Sequence, residues 1–438
     1  MTQAGPHRAP TLPWVVLAAL LLQWPLALNP GYFSHDELQW AAFADGDLLA
    51  PWRDVTAFQY RPLTFSLWML LSRLLFDTPA AFHAVLVAWG SLNAGLLFAV
   101  GRRFGMGPWP AAAGALAFVT GPFAALVHGW AGCIADLLWL GGTLGAVWLV
   151  QQTSRPLLAG LAAFACTSIA LLAKEAALAI LPLLAVAWLF DGRQRRWLAA
   201  TLGAGLAAAG WLALRLDVLL HAPREGGQYV LGVANVPLRW LEYQLFPPLV
   251  PVQEGFTTLQ RPLPAAIAGV LWLWLLVALW RADRRLALLC LLGGMAALLP
   301  VLPLSSSWNH YGYAFAAITA MTLAAAWRPA RRSGRAAIAV FAGLTLLHGL
   351  VVMLGIHRVG QVQARFSPAL ATAVHSHTGP MPLRLRPDPD AKIWIFQRLT
   401  HDIPRYDGIA IGNRVQLADG DAPADYRILA DGRLVRLR

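Results

Sequence analysis

Residues 11–28 read TLPWVVLAALLLQWPLAL, an apolar run long enough to cross the hydrocarbon core of a bilayer as a helix. The run lacks a small-residue cleavage site and other apolar runs follow it, so we interpret it as a retained first span. Of the 438 residues, 58% are hydrophobic, 13% are charged and 20 are tryptophans. A soluble domain cannot bury that much apolar surface. The composition therefore predicts a polytopic α-helical membrane protein.

The net charge of +12 comes from 34 basic and 22 acidic residues. A basic chain can bind nucleic acid, but these residues fall in short runs between apolar segments, which is typical of cytoplasmic loops. We therefore expect membrane lipids, and no nucleic acid, as partners. The three cysteines, Cys133, Cys166 and Cys290, lie in apolar runs without metal-ligand spacing, and we interpret them as core residues.

Four basic loops determine the predicted topology, because cytoplasmic loops collect arginine and lysine. They are GRRFG (101–105), DGRQRRW (191–197), RADRR (281–285) and RPARRSGR (328–335). Placing all four inside predicts about eleven spans, near residues 11–28, 80–100, 109–128, 133–151, 156–172, 176–190, 197–215, 263–280, 286–304, 311–327 and 336–356. The N-terminus is then cytoplasmic. The outer side receives segments 29–79, 174–175, 216–262 and 303–313 and the C-terminal tail.

Residues 357–438 differ in composition from the transmembrane region predicted at 1–356. The stretches AKIWIFQ (391–397), GIAIGNRVQLADGD (408–421) and YRILADGRLVRLR (426–438) are short and β-rich, and ADGRL carries the Asp-Gly signal of a hairpin. We predict a small β-rich or α+β domain there. In the first outer loop (29–79), the amphipathic run PLTFSLWMLLSRLLFD (62–77) predicts a helix lying in the membrane interface.

The first outer loop contains SHDELQW (34–40), in which Asp36 and Glu37 are adjacent carboxylates next to His35. One such carboxylate can act as a general base while the other shapes the local field. Near a low-dielectric surface, their repulsion should raise the pKa of one of them. The alternative is a helix start, since Ser34 can cap a helix and acidic residues favour its first turn.

Two cations on the same predicted side are suited to binding phosphate. Arg61, in QYRPL, offers a planar fork, although it could also be an interfacial anchor. Lys174, in LLAKEAALAI, is one of two lysines in the chain, and its compact ammonium suits a phosphate oxygen. The alternative for Lys174 and Glu175 is a tight hairpin in the outer interface.

The stretch VHGWAGCIADLLWL (127–140) places His128 and Asp136 at or inside a span. A carboxylate in a membrane span is costly, which makes Asp136 a functional hypothesis by default. The alternative is a structural partner for a helix-end dipole or a nearby arginine.

The stretch SSSWNHYGY (305–313) enters a span with polar and aromatic groups, namely Asn309, His310, Tyr311 and Tyr313. Such groups can bind a sugar or a phosphate, and the alternative for the tyrosines is an aromatic belt.

The sequence contains no Gly-rich phosphate loop, Walker motif, CxxC or HExxH, so nucleotide hydrolysis is not expected. We expect no required cofactor and assign no metal ligands, leaving a divalent metal open.

In their shared order, four of these motifs resemble the GT-C glycosyltransferases. They are the acidic pair after the first span, YRPL (60–63), the H…AG…ADLL pattern (128–138) and KE (174–175). The resemblance covers about residues 10–330 and is greatest to the protein O-mannosyltransferase-like branch, which includes the tetratricopeptide-containing transmembrane mannosyltransferases. It implies a GT-C-like fold and a transferase with a polyprenyl-phosphate sugar donor. The tetratricopeptide array is missing, so the acceptor could be a glycan, a lipid or a protein.

The matching motifs imply roles for individual residues. Asp36 would be the general base that activates an acceptor hydroxyl, with Glu37 as its supporting carboxylate. Arg61 and Lys174 would contact the lipid phosphate, and Glu175 would orient Lys174.

Other residues would assist at the donor. His310, next to Tyr311, stands where family members often carry an arginine. The remaining supporting residues would be His35, Asp136, Asn309 and Tyr313. Direct displacement at the sugar would invert the anomeric carbon.

Two other functional classes fit a membrane protein with charged loops, namely a transporter or flippase for a lipid-linked glycan and a non-catalytic assembly factor. Transporters often show internal repeats and charges near the bilayer midplane. Here the charges cluster at the predicted outer boundary and no repeat is visible, which favours an enzyme. We expect an integral protein of a bacterial inner membrane with a periplasmic C-terminus.

Overall fold

The computed structural model describes residues 9–221, 230–245, 258–418 and 422–437. Its helices are α1 Leu12–Leu22, α2 Trp24–Ala27, α3 His35–Ala41, α4 Ala50–Arg53, α5 Pro62–Leu75, α6 Pro79–Arg103, α7 Pro108–Thr120, α8 Pro122–Gly129, α9 Ile134–Gln152, α10 Pro156–Ala173, α11 Ile180–Phe190, α12 Arg195–His221, α13 Val236–Leu245, α14 Pro262–Ala282, α15 Arg284–Leu298, α16 Tyr313–Ala326, α17 Arg332–Ser376 and α18 Ile393–Thr400. Its strands are β1 Leu383–Pro387, β2 Arg405–Tyr406, β3 Ile409–Ala410, β4 Val415–Leu417, β5 Tyr426–Ile428 and β6 Leu434–Arg436.

Within the described residues, six helices are long and apolar enough to cross a membrane: α6, α9 with the preceding turn, α10, α12, α14 and α17. Helices α7 and α8 form a seventh candidate that bends by 59° at Gly121. The bend follows from Pro122, which cannot continue the hydrogen-bond ladder of α7. Each predicted span coincides with a helix, but α1, α11, α15 and α16 are shorter. The prediction of an integral membrane protein agrees with these helices, while the count of eleven spans stays a prediction.

The bundle packs closely because small residues lie where helices cross. At the crossing of α10 and α12, a Cβ on Gly203 would lie 2.2 Å from the carbonyl oxygen of Gly160. Helices in lipid have no hydrophobic driving force for association, so the van der Waals packing of two closely approaching backbones stabilises the crossing instead. The predicted interfacial helix at 62–77 matches α5, and its position relative to a membrane stays a prediction.

Helix α17 is 45 residues long, or roughly 65–70 Å at the rise of an α-helix, about twice the hydrocarbon thickness of a bilayer. The predicted domain boundary at 357 therefore falls inside this helix. Beyond position 356 the helix still buries Val359, Val362 and Phe366, so its second half packs against protein.

The C-terminal segment (377–437) contains a four-stranded sheet of order β4-β1-β5-β6, in which β1 is parallel to β4 and β5. The predicted Asp-Gly hairpin is confirmed, because β5 and β6 pair antiparallel with Ile428 opposite Leu434. Gly432 takes the positive φ of +89° that the turn needs. The β-rich interpretation of AKIWIFQ is wrong, since Ile393–Thr400 forms α18. That helix buries Ile395, Phe396 and Leu399 on one face, at helical spacing.

The C-terminal segment covers α3. Gln39 Nε2 donates to the His401 carbonyl at 3.1 Å, and Arg405 donates to the Ala42 carbonyl at 3.0 Å. From α17, Gln363 Oε1 accepts from the Tyr32 amide at 2.9 Å. Helix α3 thus lies between the bundle and the C-terminal segment, in the region where the predicted site residues meet.

Candidate functional site

Helix α3 begins with a capping box. The Glu37 carboxylate accepts from the Ser34 amide at 3.0 Å, and the Ser34 hydroxyl accepts from the Asp36 amide at 3.5 Å. The second oxygen of Glu37 accepts from the Ala131 amide at 3.1 Å, and the residue is 1% exposed. The helix-start interpretation therefore describes Glu37, which also fastens α3 to the 3₁₀ turn Ala131–Cys133.

Burial raises the pKa of Glu37 to about 8, and the neighbouring Asp36 acts in the same direction. Hydrogen bonds from the backbone amides of Glu37 itself and of Ala131, together with the charge of Arg398, oppose this shift. The prediction that one member of the acidic pair has a raised pKa is confirmed, with desolvation as the larger cause. The Glu37 carboxyl group can therefore carry a proton near neutral pH, and it anchors the start of α3.

Asp36 differs from Glu37 because its side chain is 29% exposed. Its Oδ1 lies 3.3 Å from His35 Nε2, and its Oδ2 accepts from the Ser34 hydroxyl at 3.3 Å. A Cβ on Gly132 would lie 3.2 Å from Asp36 Oδ2 and 2.6 Å from Trp130 Nε1. Position 132 therefore favours glycine, because the Trp130 ring packs directly against it and the Asp36 carboxylate lies close by.

His35 and Arg398 contribute to the charge around Asp36. Burial lowers the pKa of His35, Asp36 opposes that shift, and the positive charges of Arg398 and His401 reinforce it. A neutral His35 can form a hydrogen bond with the Asp36 carboxylate but does not form an ion pair with it.

Three aromatic side chains link Asp36 to Lys174, and we call Trp130, His310 and Tyr311 the aromatic bridge. The ring centroids of Trp130 and His310 are 5.7 Å apart, and those of His310 and Tyr311 are 4.3 Å apart. Lys174 Nζ lies 5.2 Å from the centroid of the Tyr311 ring. Residues far apart in the sequence therefore form one continuous cluster.

His310 is held close to both predicted phosphate-binding cations. Burial lowers its pKa well below the ordinary value, and the charges of Lys174 and Arg61 lower it further. His310 is therefore neutral at physiological pH. It cannot supply the positive charge of the arginine that the resemblance places at this position.

Lys174 forms a buried ion pair with Asp136. Its Nζ lies 2.8 Å from both carboxylate oxygens of Asp136, and the two side chains are 4% and 2% exposed. Trp139 Nε1 donates to Asp136 Oδ1 at 3.0 Å. Asp136 lies in the first turn of α9, where the helix dipole also favours a negative charge. Asp136 therefore has the structural contacts that were the alternative to a functional role. Its partners are the helix dipole and a lysine, Lys174, instead of an arginine.

Glu175 pairs with Arg61. Arg61 Nε donates to Glu175 Oε2 at 2.9 Å, and Nη2 donates to the second oxygen. The Thr64 hydroxyl donates to the Ala173 carbonyl at 2.8 Å and holds α5 against the end of α10. The implied role of Glu175 in orienting Lys174 is therefore wrong. The 3₁₀ turn Glu175–Ala179 directs Glu175 towards α5, and Asp136 takes the lysine.

Asn309, Tyr313 and His128 lie in the packed interior. The Tyr313 hydroxyl lies 2.6 Å from His128 Nε2, and His128 Nδ1 bonds Gln23 Oε1. Asn309 Nδ2 donates to the Pro122 carbonyl at 3.4 Å. Asn309, Tyr313 and His128 are fully buried, and their hydrogen bonds hold the 309–313 segment against the bundle.

Sequence reasoning missed Trp130, Gly132 and Arg398. The first two stand inside the VHGWAGC stretch, where the titratable His128 and Asp136 are the more conspicuous candidates. Arg398 projects from α18, and its guanidinium carbon lies 4.9 Å from the centroid of Phe33 and 5.5 Å from that of Trp130. Its Nη2 donates to the Ser34 hydroxyl at 2.5 Å. No local signal marks this arginine, because the contact depends on how the C-terminal segment folds back.

An apolar cleft of about 510 Å³ lies among α7, α13, α14, α15, α16 and α17. Its lining extends from Trp109 at the start of α7 to Phe123 beyond its end, so it is roughly 20 Å long. Near that second end, a Cβ on Gly312 would lie 2.3 Å from the Phe123 ring. The Tyr243 hydroxyl, from the same wall, donates to the Trp308 carbonyl at 3.1 Å. The cleft therefore ends against the segment that carries His310 and Tyr311.

No group of three or more His, Cys, Asp or Glu side chains in the described parts of the chain could hold a metal ion. The acidic residues at the site take part in the ion pairs and hydrogen bonds given above.

No protein-family model and no curated protein sequence matches the chain. Among solved structures, it is similar to the oligosaccharyltransferase of Archaeoglobus fulgidus, tethered with an acceptor peptide containing the NVT sequon, with a TM-score of 0.44 and 14% identity. The match covers 86% of this chain and 61% of that one. The chain thus spans about three-fifths of the length of that protein. A likeness of this size assigns no family.

Proposed function

We propose that this protein is a membrane glycosyltransferase of the GT-C type that moves a sugar from a polyprenyl-phosphate donor to an acceptor hydroxyl. The observation that carries the proposal is a series of neighbouring residues. It runs from Asp36 past Gly132 to Trp130, and on through His310 and Tyr311 to Lys174. It joins a partly exposed carboxylate to cationic groups beside the segment at which the apolar cleft ends. A lipid-linked phosphosugar needs all three of these environments.

The donor phosphate would lie near Lys174, Arg61 and Tyr311. An ammonium has three N–H groups, and within the described contacts two of them bond Asp136. The third is proposed for a phosphate oxygen. The polyprenyl chain would lie along the apolar surface of the bundle, where the cleft offers a length of roughly 20 Å.

Asp36 would act as the general base. It takes the proton of the acceptor hydroxyl while the acceptor oxygen bonds to the anomeric carbon. The bond between that carbon and the phosphate oxygen breaks, and its electron pair leaves with the polyprenyl phosphate. Lys174 and Arg61 stabilise the charge that develops on the leaving phosphate. Attack from the side opposite the phosphate inverts the anomeric carbon, and no nucleotide takes part.

We further propose that the protein lies in a bacterial inner membrane with the site on the periplasmic side. The basic loops support this orientation, because short loops rich in arginine collect on the cytoplasmic side of a membrane. A reporter fused after Arg438 tests it. A cytoplasmic reporter would refute the orientation.

The activity test uses the purified full chain in detergent with polyprenyl-phosphate sugars and a set of hydroxyl acceptors. Release of polyprenyl phosphate is expected for the parent. Asp36→Asn should slow release by about a hundredfold or more, which is the scale of general-base catalysis. The matched control is Asp45→Asn, in the same loop with a side chain 84% exposed, and it should keep parental activity.

Equal release by the parent and the Asp36→Asn variant would remove Asp36 from the mechanism. A flippase would instead move the lipid-linked sugar across reconstituted vesicles without releasing polyprenyl phosphate. An assembly factor would do neither. Both outcomes are read with the same purified protein, in detergent for release and in vesicles for flipping.

A further inference from the structure

Arg398 brings a positive charge from the C-terminal segment to the wall of the candidate site. Its guanidinium lies over Phe33 and Trp130, and it bonds the Ser34 hydroxyl that caps α3. Its charge also acts on His35 and Glu37, the residues on either side of Asp36. The C-terminal segment is therefore part of the site as well as a cover over α3.

The local chemistry at Arg398 is that of an oxyanion-binding group. A guanidinium stacked on aromatic rings is weakly hydrated, and its planar fork matches phosphate and carboxylate. Trp130 adds a second donor, because its Nε1 is buried and has no hydrogen-bond partner among the described residues. That nitrogen and Asp36 Oδ2 both lie close to Gly132, at 2.6 Å and 3.2 Å from the position that a Cβ would take there.

The order of contacts separates Arg398 from the cations proposed for the donor. Trp130 lies between Arg398 and His310, and Tyr311 lies between His310 and Lys174. In an in-line displacement, the incoming hydroxyl and the leaving phosphate occupy opposite sides of the sugar carbon. Arg398 shares the side of Asp36, which is the side of the acceptor.

We propose that Arg398 and Trp130 Nε1 bind an anionic group, a phosphate or a carboxylate, that the acceptor carries close to its reacting hydroxyl. Acceptor selection by charge follows, with anionic acceptors preferred over neutral ones. The assignment of this group to an acceptor rests on the proposed transferase function. The anion-binding site itself does not, so it is tested separately.

The first experiment measures binding without turnover. Glycerol 3-phosphate and glycerol are titrated by calorimetry into the full chain in phosphate-free detergent buffer. Glycerol 3-phosphate should bind the parent, and glycerol should bind at least tenfold more weakly. Arg398→Gln should weaken glycerol 3-phosphate binding by about tenfold to a hundredfold, the scale of a charged hydrogen bond.

Two further variants show whether weaker binding comes from the loss of one contact or from unfolding of the C-terminal segment. Trp130→Phe keeps the ring contacts and removes the Nε1 donor, so it should weaken binding by about fivefold to tenfold. Arg427→Gln is the matched control, since Arg427 lies in the same segment and bonds Asp388 at 2.8 Å, and its binding should equal that of the parent. Unchanged binding in both Arg398→Gln and Trp130→Phe would overturn the site, as would equal loss in Arg427→Gln.

The second experiment distinguishes an acceptor anion from the donor phosphate. Donor hydrolysis by water and transfer to paired acceptors, one neutral and one phosphorylated, are compared in the parent and in Arg398→Gln. The variant should lose about tenfold more in kcat/KM for the phosphorylated acceptor than it loses for the neutral acceptor or in the rate of hydrolysis. Equal loss in hydrolysis would assign Arg398 to the donor and overturn the acceptor assignment. If no donor is turned over by the parent, the transferase proposal fails and the acceptor assignment fails with it, while the binding result still decides the anion site.

Discussion

Lys174 Nζ lies 2.8 Å from both carboxylate oxygens of Asp136, which is 38 residues earlier in the chain. The pair is buried and ties the start of α9 to the end of α10. Both ions lose their hydration, so their mutual attraction and the bond from Trp139 have to offset a large desolvation cost. Such a pair is costly to break from one side only.

Replacing one partner of this pair should therefore destabilise the fold strongly. Lys174→Met leaves the Asp136 carboxylate buried without its cation, and we expect a loss of about 3–5 kcal/mol in the free energy of unfolding. The double variant Asp136→Asn/Lys174→Met should lose less than the sum of the single variants. Thermal or denaturant unfolding in detergent measures the four members of this cycle.

The other lysine of the chain provides the control. Lys392 lies at an exposed position before α18, so Lys392→Met should change stability by less than about 0.5 kcal/mol. Additive losses in the double variant would show that the two groups do not interact in solution.

Arg61 makes a forked pair with Glu175, and this pair holds the guanidinium where the proposed mechanism needs a positive charge for the leaving phosphate. Arg61→Lys keeps the charge but loses the fork, so we expect kcat/KM for the polyprenyl-phosphate donor to fall about tenfold to a hundredfold. Arg53→Lys is the matched control because Arg53 pairs with Asp47 on an exposed part of the same loop. Parental activity in Arg61→Lys would show that the fork has no role in turnover.

The helical composition and the β5–β6 hairpin could be predicted because both follow from local patterns, namely apolar length and an Asp-Gly turn. The cap formed by Ser34 and Glu37 was likewise visible as an alternative. The ion-pair partners of Lys174 and Arg61 could not be predicted, because adjacency in the sequence suggested Glu175 as the partner of Lys174. The turn after Lys174 sends the two side chains to different helices. Arg398 could not be found locally, since its hydrogen bond to Ser34 crosses 364 residues.

Glu37 should make the stability of the protein depend on pH. Its pKa is about 8 in the fold and near the ordinary value of 4.5 when unfolded, so the folded state favours the protonated form. The contribution is fully present below about pH 4.5 and is lost as the pH rises towards 8. We expect the melting temperature to fall more steeply between about pH 5 and pH 8 in the parent than in Glu37→Gln.

The amide of Glu37→Gln cannot ionise, so it removes that slope. It also replaces one acceptor by an NH₂ group facing an amide donor, and it should lower stability by about 1–3 kcal/mol at pH 6. Equal pH slopes in the parent and the variant would show that Glu37 does not titrate in this range.

Two glycines in α17 should respond in opposite ways to alanine. A Cβ on Gly360 would lie 1.8 Å from Asn29 Oδ1, so Gly360→Ala forces α17 away from the segment that leads into α3. We expect a loss of about 1–3 kcal/mol, with reduced activity because Asp36 moves with that segment.

A Cβ on Gly343, in the same helix, would have no heavy atom of the described neighbours within 4 Å. Gly343→Ala should therefore be neutral or up to about 1 kcal/mol more stable, since alanine favours a helix over glycine. Unfolding curves of both variants, with donor turnover measured on each, test whether the contact at Gly360 positions the site: an unaffected Gly360→Ala variant would mean that α17 and α3 are not coupled there.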